Sequence, residues 1–282
     1  VKHKGIILSG GRGTRLYPST STVNKQLLPV YDKPMIYYPL STLIKNGISD
    51  ICIISSPEFI IFYADLFGNG RQLGINIEYR TQPEPKGLSE AFTIAEDFIG
   101  DGPATLILGD NIFHGSQKFK VSPLGATVFA YYVKNPSEYG VVEFDDNNKA
   151  ISIEEKPENP KSKYAIPGYY YFDKNVAKRA RELKPSERGE LEITDLIKTY
   201  LEEETLNVIK LRRGFAWLDA GTPTGLHQAS CYIQSLQERQ GTYIGCVEES
   251  AYEVGFLNKS KLQELAESYP DSDYKKYLLS II

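Results

Sequence analysis

Cations, glycines and carboxylates stand at the ends of apolar runs in this chain, an arrangement suited to phosphate chemistry. The first group is Ser9-Gly10-Gly11-Arg12-Gly13-Thr14-Arg15-Leu16-Tyr17-Pro18, directly after the apolar run Gly5–Leu8. Glycines after a buried strand let backbone N–H groups approach a phosphate closely. The segment is neither a Rossmann fingerprint, since a third glycine is missing, nor a Walker A loop, since no Gly-Lys-Ser/Thr closes it. With Arg12, Arg15 and, further on, Lys25, it suits a polyphosphate that must be bound and released; the alternative is a solvated tight turn. The second group is Leu108-Gly109-Asp110-Asn111. An aspartate at the C-terminal end of a buried strand lies where open α/β sheets bind ligands, and there it can hold a divalent metal or simply cap a turn.

Three further groups stay two-sided on residue type alone. Lys156 in Glu154-Glu155-Lys156-Pro157 is either a surface ion-pair partner or a phosphate anchor. In Trp217-Leu218-Asp219-Ala220-Gly221-Thr222, Asp219 is either a second metal carboxylate or part of a helix start, which Thr222 and Pro223 support in any case. In Gln82-Pro83-Glu84-Pro85-Lys86-Gly87-Leu88, the Gln82 amide can face a base edge, or the loop is a plain strand-to-helix connection. His3, His114 and His227 are isolated in sequence and read as structural or surface residues. Phosphate binders and carboxylates without a nucleophile–base pair point to phosphoryl or nucleotidyl transfer, in which positioning and charge neutralisation dominate.

The elements needed to hold these groups are legible as alternating runs. Strands are expected at Gly5–Leu8, Asp50–Ser55, Asn76–Tyr79 and Ala104–Leu108. Helices are expected at Met35–Lys45, with Pro39 bending or shifting the start, at Glu58–Phe67 and at Leu88–Phe98. Continuous apolar strands separated by helices predict a mostly parallel sheet covered on both faces. After Gly125 the strands Thr127–Val133, Val141–Phe144, Ile151–Glu154 and Tyr169–Phe172 follow with no helices between them. Helices are then expected at Asn175–Leu183, Ile193–Glu203, Thr224–Arg239, Lys259–Glu267 and Asp273–Leu279, with strands at Leu206–Leu211 and Ala216–Leu218.

The 282 residues are 41% hydrophobic and 24% charged, with 32 basic and 36 acidic side chains for a net charge of −4. That balance argues against a nucleic-acid or anionic-membrane footprint but allows a small basic pocket. Apolar runs fall far short of the roughly 20 residues of a membrane helix. The N-terminal run ends at once in glycines, as a strand does and a signal peptide does not. Cys52, Cys231 and Cys246 form no C-x-x-C and read as reduced thiols of a cytoplasmic protein.

Taken in order, these segments resemble the sugar-1-phosphate nucleotidylyltransferases. The signature is Gly10-Gly11-x-Gly13-Thr14-Arg15-Leu16-x-Pro18 and then Asn24-Lys25-Gln26-Leu27-Leu28-Pro29-Val30-Tyr31-Asp32-Lys33-Pro34-Met35. It continues through Gln82-Pro83-x-Pro85-x-Gly87-Leu88, Leu108-Gly109-Asp110-Asn111, Tyr139-Gly140-Val141-Val142, Glu155-Lys156-Pro157 and Trp217-Leu218-Asp219-x-Gly221-Thr222. Arg12, the stretch Gly115–Leu124 and Pro223-Thr224-Gly225 depart from the usual pattern.

The resemblance implies a Rossmann-like, three-layer α/β fold with a mixed, mostly parallel sheet, an antiparallel insertion and a helical C-terminal appendix. It implies one domain over 1–282, with a nucleotide-binding half (1–125), a sugar-phosphate-binding half (126–240) and the appendix (241–282). It implies transfer of the thymidylyl group of dTTP to glucose 1-phosphate, giving dTDP-glucose and pyrophosphate, as the first step of dTDP-deoxysugar synthesis. Mg²⁺ would be held by Asp110 and Asp219. Arg15, Lys25, Lys156, Asp110 and Asp219 would form the catalytic set. Leu8, Gly10, Gly11, Gly13, Thr14, Arg15, Lys25, Gln82, Pro85 and Gly87 would bind the nucleotide. Asp110, Asn111, Gly140, Glu155, Lys156, Gly168 and Trp217 would line the sugar-phosphate site. The tail implies a homotetramer with a regulatory nucleotide site at a subunit interface.

A relative using UTP, alone or beside dTTP, is the nearest alternative, since thymine and uracil differ by one methyl. A glycosyltransferase would carry Asp-x-Asp, whereas Asp110 is followed by Asn111-Ile112. A catalytically silent nucleotide-sugar sensor would have lost a cation or carboxylate, and all five are present.

Overall fold

The computed structural model describes residues 2–117 and 121–282. Strand β1 (Lys4–Ser9) turns Ile6 and Leu8 into one hydrophobic core and Ile7 into another, which is why its sequence is continuously apolar. A short antiparallel pair, β2 (Pro29–Val30) and β3 (Lys33–Pro34), precedes α1 (Tyr37–Lys45). The helix was expected from Met35, but the Met35 and Ile36 N–H groups donate to the Leu28 and Gln26 carbonyls. It therefore starts at Tyr37, and Pro39 falls in the first turn, where an N–H is not needed.

The parallel core continues through β4 (Asp50–Ser55), α2 (Ile60–Phe67), β5 (Asn76–Thr81), α3 (Glu90–Ile94), α4 (Glu96–Ile99) and β6 (Ala104–Leu108). The single helix expected over Leu88–Phe98 is two short ones. The backbone leaves helical geometry at Ala95 (φ −98°, ψ 13°), and the Ser89 N–H donates to the Leu191 carbonyl ahead of the first.

Next come β7 (Asn111–His114), β8 (Ala126–Tyr132), β9 (Gly140–Phe144), β10 (Ala150–Glu155), β11 (Tyr164–Ala165) and β12 (Tyr169–Phe172). They are followed by α5 (Val176–Glu182), α6 (Ile193–Glu202), β13 (Leu206–Lys210), β14 (Ala216–Asp219) and α7 (Pro223–Gln240). Of the short stretch 115–124, residues 118–120 lie outside the described residues. The main sheet has ten strands in the order β10-β9-β11-β8-β12-β6-β1-β4-β5, with β13 added on β8. It is mixed: β6, β1, β4 and β5 run parallel, whereas β12 joins β6 antiparallel and β8 to β12 pair antiparallel. One face packs Phe92, Phe172, Leu196 and Tyr200 under α3 to α6. The other packs Leu40, Tyr63 and Ile53 with residues of the C-terminal helices.

Those helices are α8 (Val247–Glu253), α9 (Lys259–Ser268) and α10 (Asp273–Ser280). The sequence reading missed α8. Its buried set, Val247, Glu248, Ser250 and Ala251, mixes polar with apolar residues, so its periodicity is weak. Buried Glu248 accepts hydrogen bonds from Tyr269 (2.7 Å) and Tyr274 (2.5 Å), and Ser250 meets Ser41 of α1 (2.7 Å). The appendix is thus tied to the sheet through α1.

Candidate active site

Parallel pairing sets the site. Leu8 of β1 lies opposite Leu108 of β6, so the glycine-rich loop and Gly109-Asp110 leave the sheet side by side. A Cβ at Gly109 would lie 2.5 Å from Ser9 Oγ and 2.8 Å from Gln26 Cγ, so only glycine lets the strands part this closely. Asn24 holds the loop base. Its Oδ1 accepts from Gln26 N (3.2 Å) and Tyr63 OH (2.7 Å), and its Nδ2 donates to the Ser9 carbonyl (3.3 Å). This fixes the backbone of Lys25, whose Nζ reaches Asp110 Oδ2 at 2.5 Å.

A separate two-stranded ribbon delivers the second carboxylate. Strand β14 pairs antiparallel with β7, placing Asp219 opposite Asn111, and Ala220 N donates to the Asp110 carbonyl at 3.1 Å. Burial works to raise the pKa of Asp110, but Lys25 beside it, with Asn111 Nδ2 at 3.0 Å, holds it below the ordinary carboxylate value. Burial, then the charge of Asp110, raises the pKa of Asp219. Two carboxylates that repel each other suit a divalent cation. Among the described residues no cluster of three or more His, Cys, Asp or Glu side chains exists to complete a protein-only site. Two carboxylates with the rest of the shell left to phosphate and water is the usual magnesium pattern, so these residues fit the ion.

Arg15 arrives from the loop side. A Cβ at Gly221 would stand 2.8 Å from Arg15 Nη2 and 2.9 Å from Asp219 Oδ1, so the guanidinium lies beside the carboxylates. Trp217 Nε1 donates to Asn111 Oδ1 (2.7 Å), which also accepts from Gly168 N (3.0 Å), while Asn111 Nδ2 holds Asp110. Trp217 is therefore linked to the Asp110 carboxylate through one intervening amide.

Two cavities meet at Asp110. One, of about 180 Å³, is lined by Leu8, Gly10, Gly11, Lys25, Gln26, Gln82, Pro85, Gly87, Leu88, Leu108, Asp110 and Glu190. The other, of about 160 Å³, is lined by Arg15, Leu88, Leu108, Asp110, Asn111, Glu138, Tyr139, Gly140, Glu155, Lys156, Ile166, Gly168, Tyr170, Ile193, Thr194, Trp217 and Asp219. Burial, then Glu192, raises the pKa of Glu155, and Lys156 and Thr194 oppose the rise. Gly140 is needed beside it, since a Cβ there would lie 2.9 Å from Thr194 Cγ2.

A family model for nucleotidyl transferases matches residues 4–235. The chain belongs to the nucleotidyl transferase family. The glucose-1-phosphate thymidylyltransferase of Neisseria meningitidis is 53% identical over 285 residues, 99% of both chains. That of Xanthomonas campestris strain B100 is 50% identical over 287 residues, covering 100% of this chain and 97% of its own. A crystal structure from Bacillus anthracis, assigned as a glucose-1-phosphate thymidylyltransferase and complexed with a sucrose, superposes with a TM-score of 0.75 at 40% identity. It covers 82% of this chain and 94% of that one.

Nearly every residue singled out from the sequence reaches one of the two cavities. Gly13 and Thr14 do not line either. Gly13 is left-handed (φ 62°) against Thr20 and Lys25 Cβ, and Thr14 opens a short 3₁₀ turn, so both shape the loop from behind. Arg12 is exposed, and its charge acts on Glu58. The sequence reading did not select Gln26, Tyr139, Glu190 or Thr194. Gln26 is buried with Oε1 lacking a partner among the described residues, and Tyr139 packs edge-on to Trp217 at 4.9 Å. Gln26 and Tyr139 sit inside quoted motif segments, which was the available signal; Glu190 and Thr194 reach the cavities only through the tertiary fold.

Proposed function

We propose that the protein transfers the thymidylyl group of dTTP to glucose 1-phosphate, forming dTDP-glucose and releasing pyrophosphate. The observation that carries this reading is the meeting of two cavities at Asp110. One is rimmed by the glycine loop and Gln82, the other by Glu155, Lys156 and Trp217. The thymidylyltransferases of Neisseria and Xanthomonas support this pair of substrates.

The sugar 1-phosphate oxygen attacks the α-phosphorus in line. The new P–O bond forms as the bond to the β-phosphate oxygen breaks, and pyrophosphate leaves with its electron pair. Arg15 and Lys25, with the backbone of Gly10 and Gly11, offset charge on the triphosphate and leaving group. Gly13 and Thr14 set the shape of that loop. Lys156 anchors the sugar phosphate as a point charge, and Glu155 accepts sugar hydroxyls. Asn111, Gly140, Gly168 and Trp217 wall the hexose, while Gln82 and Gly87, beside Leu8 and Pro85, read the base. Magnesium, when bound between Asp110 and Asp219, would neutralise charge on phosphate oxygens.

In this reading residues 1–125 serve the nucleotide and 126–240 the sugar phosphate within one domain, and 241–282 contribute to a homotetramer. We place the enzyme in the cytoplasm, at the head of dTDP-deoxysugar synthesis; no described helix is long and apolar enough to cross a membrane. One methyl separates the bases, so UTP serves as a slower second nucleotide. Pyrophosphate release is measured with Mg²⁺, glucose 1-phosphate and dTTP, beside UTP and a no-sugar control. Sugar-dependent release, faster with dTTP, is expected. Binding of dTTP without release would overturn the reading in favour of a sensor.

A further inference from the structure

Gln82 is 4% exposed and lines the nucleotide cavity. An amide in that position can offer a base either its N–H groups or its carbonyl oxygen, and the two faces recognise opposite base edges. Which face is offered depends on what holds the other end. Nε2 of Gln82 donates to Glu90 Oε2 at 2.7 Å and to the Gly87 carbonyl at 3.4 Å. Both partners only accept, so both amide hydrogens are consumed on that side. Oε1 then points toward the glycine loop, where a Cβ on Gly10 would stand 2.5 Å from it. Among the described residues nothing donates to this oxygen, so it is the free acceptor at the cavity wall.

We propose that Glu90 is a specificity-determining, positioning residue: it locks the Gln82 amide with its oxygen toward the base, so the site accepts nucleobases that carry an N3–H donor. An ionised carboxylate cannot donate, so turning the amide over would set Oε1 against Glu90 Oε2 and lose both bonds. Thymine and uracil bring N3–H to the oxygen. A 4-amino pyrimidine brings the lone pair of N3, and the two acceptors repel. Glu90 touches no substrate itself. It sits on α3, one residue after Ser89, whose N–H is held by the Leu191 carbonyl, so its backbone is fixed independently of the ligand.

The inference rests on the proposed base-reading role of Gln82, and the test separates the two. The probes are dTTP and 5-methyl-dCTP, which share the methyl and the sugar and differ only at positions 3 and 4 of the ring. With glucose 1-phosphate as acceptor, kcat and KM are measured for wild type, Glu90→Gln and Gln82→Ala. A glutamine at position 90 can donate or accept, so it releases the lock while keeping the shape. We expect the dTTP preference in kcat/KM to fall about tenfold or more in Glu90→Gln, chiefly through KM. A preference unchanged in Glu90→Gln but lost in Gln82→Ala overturns the role of Glu90 and leaves the base reading standing. A preference unchanged in both overturns the base reading as well. Glu90→Ala, which leaves Nε2 short of an acceptor, serves as the second variant if Glu90→Gln does not melt cooperatively.

Discussion

Replacing Lys25 with methionine tests how the carboxylate pair is kept charged without ligand. Lys25 Nζ lies 2.5 Å from Asp110 Oδ2, with the two side chains 11% and 14% exposed. At an effective dielectric of about 20, charges about 4 Å apart attract by roughly 4 kcal/mol, most of it offset by desolvation of both groups. Removing one partner leaves the desolvation of the other uncompensated, at about 3–5 kcal/mol for a buried pair. Slight exposure puts Lys25→Met at the lower end, about 3 kcal/mol, or, for a chain of 282 residues, a melting point lower by roughly 5 °C. Asp219 adds to the effect, because its charge and that of Asp110 already oppose each other. Lys25→Met/Asp110→Asn removes the stranded charge and should recover at least about 1 kcal/mol relative to the single variant. The sign with pH follows from the depressed pKa of Asp110. The pair's contribution is present above the ordinary carboxylate value and is lost as pH falls through the depressed one. The melting difference between wild type and Lys25→Met should therefore narrow in acid. Scanning calorimetry at pH 7.5 and at pH 3.5 measures it. A Lys25→Met melting point within 1 °C of wild type at pH 7.5, with no recovery in the double variant, would refute the argument.

Arg15→Ala should lower turnover by about 10²–10³, as loss of one transition-state charge partner does; steady-state pyrophosphate release with near-wild-type kcat would remove Arg15 from the mechanism. Glu155 has a raised pKa, from burial and then Glu192, so its contribution to stability is full below the ordinary carboxylate value and lost as pH rises through the raised one. Glu155→Gln should accordingly melt above wild type at pH 8 and with it at pH 4, while KM for the sugar phosphate rises; an equal gap at both pH values contradicts this. Gly87 sits at φ 111°, and a Cβ there would lie 2.4 Å from the Leu191 carbonyl oxygen. Gly87→Ala should cost at least about 2 kcal/mol in urea denaturation and raise KM for the nucleotide, and a wild-type midpoint would show that the 86–89 and 191 backbones separate freely.

What the sequence determined is local. Ile6, Ile7 and Leu8 are continuously apolar because both faces of β1 are covered, and a run of that kind is readable without a partner strand. The glycines follow it at once and Arg15 comes soon after, so their location at the strand end was also legible, whereas Lys25 lies further along the connection and is brought back to Asp110 by the fold. Ends and breaks were less so. The start of α1 depends on two N–H groups taken by the preceding loop, and α8 is held by Glu248 bonds to tyrosines from α9–α10 and its approach. The site needed the tertiary structure in three places. Asp219 meets Asp110 because β14 pairs with β7 in one register, and a shift of one residue would turn it to the other face. Trp217 reaches Asp110 only through Asn111. Glu90, eight residues beyond Gln82, decides which end of that amide is left for a ligand. Residue type says that a carboxylate or an amide is present; its direction and its charge depend on neighbours, near or distant in sequence, that only the fold brings within hydrogen-bond reach.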